Sequence, residues 1–440
     1  MGGADIDSAD PLALILRERW SRFWYRPGSA AELGFCRMLF YALLLVLYGP
    51  RDMAGWAEVS PVFFQPIPLF RVLGLGVLPP TALWVMAAVW KVLLATSALG
   101  LATRVSTAGT AILAPYLLGL PQNFGKIQHA DAILVFAMAI LAFSRCGDGW
   151  SVDSLIRAAR RPLAPPPLPS GEYTWPIRMM WLLMSLIFFA AGVAKLRHSG
   201  LSWITSNALA GYLIRSNDPI ARPDGAPWTN WGPWLARVPW LAGAAGAVSL
   251  LLELSFPLAL FSRTARRIIV PGVFAVQIGI LLLMGPDFQR FLVCYLFWVP
   301  WNRMGETITR AAARRPRHAL IYDGACGLCR STVAVLQRLD LAGRVEFLDA
   351  LSDWPRIHLA YPSLAQEDCL ATMHVVMADG RIEKGYDAYR ALSWSLPLLW
   401  PVAPLLYVPG VPVVGRKIYA AVAARRHRGG CPVPAESAAP

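Results

Sequence analysis

Residues 320–340 read "LIYDGACGLCRSTVAVLQRLD". The apolar run "ALIYD" (319–323) predicts a short strand, and "GACGLC" is a loop loosened by glycine. The run "CRSTVAVLQRLD" then places Val333, Leu336 and Leu339 on one helical face. Cys326 and Cys329 therefore stand two residues apart at a strand-to-helix junction. Working outward, "RVEFLD" (344–349) predicts a second strand. "TMHVVMADGRIEKG" (372–385) is two runs around an Asp-Gly turn, a hairpin signal, and "YDAYRALSWSL" (386–396) follows as a helix.

Strand, Cys-x-x-Cys, helix, strand, hairpin, helix is the order of a thioredoxin-like α/β domain. A cysteine at a helix N-terminus feels the partial positive charge of unpaired amides, which favours its thiolate. A second cysteine one turn on can resolve a mixed disulfide from within the same molecule. On this reading Cys326 is the exposed nucleophile and Cys329 the resolving thiol. Asp323 is a nearby proton acceptor or simply ends the strand. The spacing also admits a zinc half-site or inert thiols. A structural zinc site needs four ligands. The remaining candidates in this part of the chain, Cys369, Cys431, His318, His358, His374 and His427, form neither a second C-x-x-C nor an H-x₃₋₅-H pair, so no metal is expected. Nothing in the spacing of Cys369 and Cys431 assigns them a role.

The first three hundred residues read differently. Hydrophobic residues make up 56% of the 440 and charged residues 15%, a balance that places most of the apolar surface against lipid. Runs apolar enough to span a bilayer fall at 33–50, 80–100, 105–121, 129–145, 175–196, 239–262, 267–285 and 288–304. The expected fold class is thus a polytopic α-helical membrane domain of about eight spans (1–310), plus a C-terminal thioredoxin-like α/β domain (314–432) and a disordered tail (433–440). No secretory signal peptide is read in the polar leader with Arg17, Arg19, Arg22 and Arg26.

The net charge of +14 is carried mostly by arginine. It shows no basic groove interleaved with aromatics and no RNA-binding signature, so nucleic acid is not an expected partner. The arginines gather instead between apolar runs. With the N-terminus inside, the inner segments hold Arg17 to Arg37, Arg104, Arg145, Arg157, Arg160, Arg161, Arg263, Arg266 and Arg267, and Arg310 to Arg317 follow the last span. The short outer connections hold Arg51, Arg71, Lys126 and Arg290. Both termini are therefore expected in the cytoplasm of a bacterial-type inner (plasma) membrane.

"YDGACGLCRSTVAVLQRLD", "VEFLDAL", "MHVVMADGRIEKGYDAYRAL" and "KIYAAVAARRHR" resemble the DCC family of thiol–disulfide oxidoreductases, over roughly 318–432. The family is named for Asp-x-x-Cys-x-x-Cys, here Asp323, Cys326 and Cys329. The resemblance implies disulfide chemistry that needs no cofactor, with a thiol or disulfide protein as redox partner. Thioredoxins proper place a cis-proline before a strand beside the dithiol; this chain has Ala371-Thr372 before "MHVV".

"FFAAGVAKLRHSGLSW" (188–203), "SRCGDGWSVDSL" (144–155) and "GKIQHADAILVF" (125–136) resemble the horizontally transferred transmembrane (HTTM) family, over roughly 15–305. That family includes the vitamin K-dependent γ-glutamyl carboxylases. The resemblance implies that Lys195, in its "AG-x-x-KL" context, is a base facing a lipid-soluble quinone. By position alone, Lys195 is equally a snorkelling anchor. His129 and Asp131, at the mouth of the fourth run, are expected either to line the same cofactor cavity or to mark a helix start. Glu253, inside the sixth run, needs a partner or a proton. Where the carboxylases have a histidine in a later span, "FAVQIGILLLMG" offers Gln277, so carboxylation itself is not expected.

The expected function is a membrane-anchored thiol–disulfide oxidoreductase, reductase-like, with a membrane quinone as partner. One alternative is a carboxylase-like quinol-oxidising enzyme with Lys195 as base; another is a non-catalytic membrane scaffold.

Overall fold

The computed structural model describes residues 11–125, 129–205, 208–218, 227–285, 289–312, 314 and 316–428. The expected disordered tail at 433–440, and Cys431, lie outside the described residues. The chain divides into two compact units, 1–151 with 167–300, and 152–166 with 301–440.

The first unit is helical. Its main helices are α1 (Ala30–Tyr48), α2 (Pro80–Leu99), α3 (Thr103–Gly119), α4 (His129–Phe143), α5 (Trp175–Ser199), α6 (Pro239–Ser255) and α7 (Arg263–Met284). Local chemistry sets several ends. The Ser29 hydroxyl accepts the Ala31 N–H before α1, and the Ser262 hydroxyl accepts the Ala265 N–H before α7. α2 opens on a proline at N1 and closes on Gly100 at φ 68°, where a left-handed residue ends the helix.

Among the described residues, four helices are long and apolar enough to cross a membrane: α1, α2, α7, and α5 together with the turn before it (Gly171–Ser199). The eighth expected span is corrected. Gln289–Leu292 is one helical turn, Val293–Trp298 is 3-10, and a new helix begins only at Trp301 after Pro300. The carbonyls of that segment serve other elements. Trp181 Nε1 donates to Phe297 O at 2.7 Å, and Cys36 Sγ reaches Leu296 O at 3.9 Å. Irregular backbone is stable at such depth only when protein surrounds it.

Two arginines counted as flanking charges are drawn into this unit, Arg37 fully and Arg290 for the most part. Arg37 is fully buried and donates to the carbonyls of Ser97 (2.9 Å), Gly34 (3.4 Å) and Trp150. Arg290 donates to both oxygens of Asp131 at 2.8 Å.

The second unit carries a small mixed sheet with helices. Its strands are β1 (His318–Tyr322), β2 (Val345–Asp349), β3 (His374–Val376) and β4 (Ile382–Lys384), in the order β2-β1-β3-β4. β1 runs parallel to β2, from His318↔Val345 to Tyr322↔Asp349, and antiparallel to β3 with Leu320↔Val375. The β3–β4 hairpin turns at Asp379-Gly380, where Gly380 takes φ 85°. Helix α8 (Gly327–Leu339) lies between β1 and β2, and α9 (Tyr386–Ser393) and α10 (Val411–Arg428) follow the hairpin.

Strand alternation divides the core. Leu320 and Val375 face Val333, Leu336, Leu392 and both cysteines of the dithiol. Ala319, Ile321 and Val376 face the other way, onto Leu348, Ile357 and Cys369. Each fully buried Leu or Ile here stabilises the fold by about 1.5–3 kcal/mol. The helix Val152–Arg160 also belongs to this unit and packs against α8.

Candidate active site: a buried dithiol

Cys326 is the N-cap of α8 in extended conformation (φ −77°, ψ 117°), and Cys329 sits in the helix's first turn. Both are thiols rather than a disulfide. The expected exposure of Cys326 is corrected: it is 6% exposed and Cys329 3%. Both sulfurs pack into the core cluster with Leu320, Met373 and Val375. This burial follows from the loop, which hydrogen bonds fold tightly over the end of β1.

Asp323 Oδ1 accepts the Ala325 N–H at 2.9 Å, and the Cys326 N–H donates to Asp323 O at 3.3 Å. From the neighbouring strand, Asp349 Oδ1 accepts Gly324 N–H at 3.0 Å and Leu351 N–H at 2.9 Å. Arg330, one residue past Cys329, donates back to Gly324 O at 3.2 Å. Burial, with the Asp349 carboxylate second, pushes the Tyr322 phenol above its usual range, so it keeps its proton at neutral pH.

A pocket of about 370 Å³ opens beside Cys329. Tyr386 and Tyr389 of α9 and Ile418, Tyr419 and Val422 of α10 form its walls. Tyr419 Oη accepts the Met373 N–H at 3.1 Å, which ties α10 to the segment entering β3. Asp387 holds Arg416 at 2.7 Å and Arg390 at 3.1 Å, joining α9 to α10. The guanidinium of Arg416, hydrogen-bonded to it, keeps the Asp387 carboxyl below its usual range.

In the helical unit, Lys195 lies in the last turns of α5. Its Nζ donates to both oxygens of Glu253 on α6, at 2.5 and 2.6 Å, and stands 5.2 Å from the centre of the Trp203 ring. Gly192 allows the approach, since a Cβ there would lie 3.0 Å from Leu254. Two residues singled out separately in the sequence thus become one ion pair.

The HTTM domain description matches residues 25–279, more than half of the 440. The chain belongs to the HTTM family. The description "DCC1-like thiol-disulfide oxidoreductase" matches residues 320–431, so the membrane unit precedes a DCC1-like unit in one chain. No curated protein and no solved structure matches it.

Asp131 in the HTTM unit is bonded to three neighbouring side chains. Its carboxylate accepts Tyr48 Oη at 2.5 Å, Gln122 Nε2 at 3.2 Å and Arg290 at 2.8 Å on each oxygen. His129 opens α4, and its side chain lies outside the described residues. Cys369 in the DCC1-like unit packs across the sheet from the dithiol.

Asp349, Arg330 and Tyr419 are site residues that the sequence reading missed. A signal existed for the first. Two parallel strands read as "ALIYD" and "RVEFLD" bring the aspartate closing the second beside the loop that leaves the first.

Proposed function

We propose that the DCC1-like unit is a thioredoxin-like module and that this HTTM protein is a membrane-anchored thiol–disulfide oxidoreductase working as a reductase. The observation that carries the reading is the placement of Cys326 at the N-cap and Cys329 within the first turn of α8, at the C-terminal end of β1. The sheet order β2-β1-β3-β4 around that turn supports the module.

The Cys326 thiolate attacks one sulfur of a partner disulfide and expels the other as a thiolate. Cys329 then attacks the Cys326 sulfur, which closes the Cys326–Cys329 disulfide and releases the partner reduced by two electrons. Asp323 and Asp349 position the loop. The tyrosine-walled pocket beside Cys329 receives an apolar side chain flanking the partner's disulfide. A tail on the cytoplasmic side of a bacterial-type inner membrane, as the arginine bias supports, meets a pool that keeps thiols reduced and so runs toward reduction.

The partner-trapping variant Cys329→Ser tests this assignment. It is expected to retain a mixed disulfide at Cys326 that dithiothreitol releases, whereas Cys326→Ser retains none. Adducts in neither variant would sink the reading.

A second proposal concerns the HTTM unit. Gln277 on α7 is buried and its Oε1 has no hydrogen-bond partner, a free acceptor that suits the hydroxyl of a reduced quinone. For the opposite, oxidising direction, in which the dithiol gives up its two electrons, a bound lipid-soluble quinone would supply the two-electron acceptor. Gln277 Oε1 would accept from the hydroxyl of the quinol that results, while Lys195 and Glu253 hold a proton between them. If Lys195→Ala left quinone-dependent reoxidation of the dithiol intact, the lysine would have no part in that path.

A further inference from the structure

We infer that residues 394–418 of the DCC1-like unit form a face that docks onto the anionic surface of a lipid bilayer. The inference goes beyond the dithiol reading and stands without it.

The segment is a series of tight turns leading into α10, and it exposes large apolar side chains in succession. Trp400 is 53% exposed, Leu405 59% and Ile418 60%, with Trp394 before them and Val408 and Val414 between them similarly open. The turns are nevertheless held in place. Trp400 Nε1 donates to Trp394 O at 3.0 Å, the Trp394 and Tyr407 rings stand 6.1 Å apart, and Tyr386 Oη donates to Leu406 O at 3.1 Å. An ordered apolar surface of this extent is unusual on a soluble domain and marks an interaction site.

Charge identifies the occupant. From Ala388 to Arg428 the chain has not one Asp or Glu; Arg390 and Arg416 pair with Asp387 just before it, and Lys417, Arg425, Arg426 and Arg428 add positive charge beyond that pairing. Forty-one consecutive residues that join exposed aliphatic side chains, tryptophans and an unbroken positive sign have the composition of an interfacial element. Tryptophan and tyrosine settle at headgroup depth, and each Lys or Arg near an anionic surface adds to the attraction. α10 shows the division along its length, with Val411, Val413, Val414 and Ile418 in its first half and "RRHR" at its end. Lipid is also at hand. Only residues 301–317 separate the membrane unit, which ends at Pro300, from β1.

The test uses the full chain in lipid nanodiscs, with an environment-sensitive fluorescent amino acid at Leu405 or Ile418 and, as control, at Leu359, which is 84% exposed on another helix of the unit. These positions are open, so the probe leaves the core undisturbed. Acyl-chain-brominated phosphatidylcholine mixed with phosphatidylglycerol is expected to quench the probes at 405 and 418 and to leave the probe at 359 bright. Replacing phosphatidylglycerol with zwitterionic lipid is expected to reduce that quenching, as is Arg425→Glu with Arg426→Glu. Quenching at 405 and 418 no greater than at 359 would overturn the proposal. Blue-shifted emission without quenching would overturn it too, in favour of a protein partner or a second copy. Quenching that ignores lipid charge would overturn the role given to the basic run.

Discussion

Gly324 lies against the carboxylate of Asp349: its N–H donates to Oδ1 at 3.0 Å, and a Cβ built on it would fall 2.0 Å from Oδ2. The dithiol loop is therefore fixed to the neighbouring strand. Gly324→Ala is expected to destabilise the DCC1-like unit by about 1–3 kcal/mol through overpacking. Asp349→Ala leaves the part-buried Gly324 amide without this acceptor, at a cost of about 1–3 kcal/mol, while the exposed Leu351 amide turns to water. Asp349→Asn keeps an acceptor oxygen and should cost less. Hydrogen exchange at amides 324 and 351 checks the order of the three.

Cys369 is separated from the dithiol by the sheet, and burial, with Asp368 second, pushes its thiol up to about 11. It is expected to resist alkylation at pH 7 in the folded chain and to react after denaturation. Cys369→Ser should leave the redox behaviour of Cys326 and Cys329 unmoved. A disulfide joining Cys369 to either of them would contradict this placement.

The Lys195–Glu253 pair carries a prediction of its own. Glu253 is buried and Lys195 partly so, and removing the lysine strands the carboxylate at a cost below the ~3–5 kcal/mol of a fully buried pair. Lys195→Met and Glu253→Gln are each expected to lower the thermal stability of the HTTM unit, and the double variant to recover much of the loss. Additive losses in the double variant would show that the two side chains stabilise the unit independently.

Two buried histidines set an acid limit. Burial holds His318 and His374 below the ordinary imidazole value of 6.5, with the charges of Arg344 and Lys384 adding to it. Unfolding frees both to protonate, so their contribution to stability is full above about pH 6.5. It is lost as pH falls through their lower folded values. Protection from hydrogen exchange in β1 and β3, taken relative to the intrinsic rate at each pH, should fall on acidification below that point. His318→Asn cannot titrate and should show a shallower pH dependence; an unchanged slope would remove His318 as a cause.

The DCC1-like unit was largely legible because its signals are local. Alternation in "ALIYD", the Asp-Gly turn and the period from Cys329 to Leu339 all act within a few residues. Depth was not legible. Cys326 follows glycine and alanine and reads as exposed, yet the bonds from Asp349 and Arg330 that fold its loop inward come from outside the loop. In the HTTM unit, apolar runs became helices wherever their backbone bonds stayed within the run. Residues 288–304 failed because Pro300 interrupts them and because the carbonyls of Leu296 and Phe297 serve Cys36 and Trp181. Arg37 and Arg290 carry the same formal charge as any flanking arginine, so a count of charges could not reveal that each is sequestered with its acceptors.

The most direct test of the central claim is a redox titration of the full chain in nanodiscs, with the state of Cys326 and Cys329 read by differential alkylation and mass spectrometry. The account predicts one reversible two-electron transition between the dithiol and a Cys326–Cys329 disulfide. If no intramolecular disulfide formed between them at any potential, the dithiol would not be a redox centre and the account would be wrong.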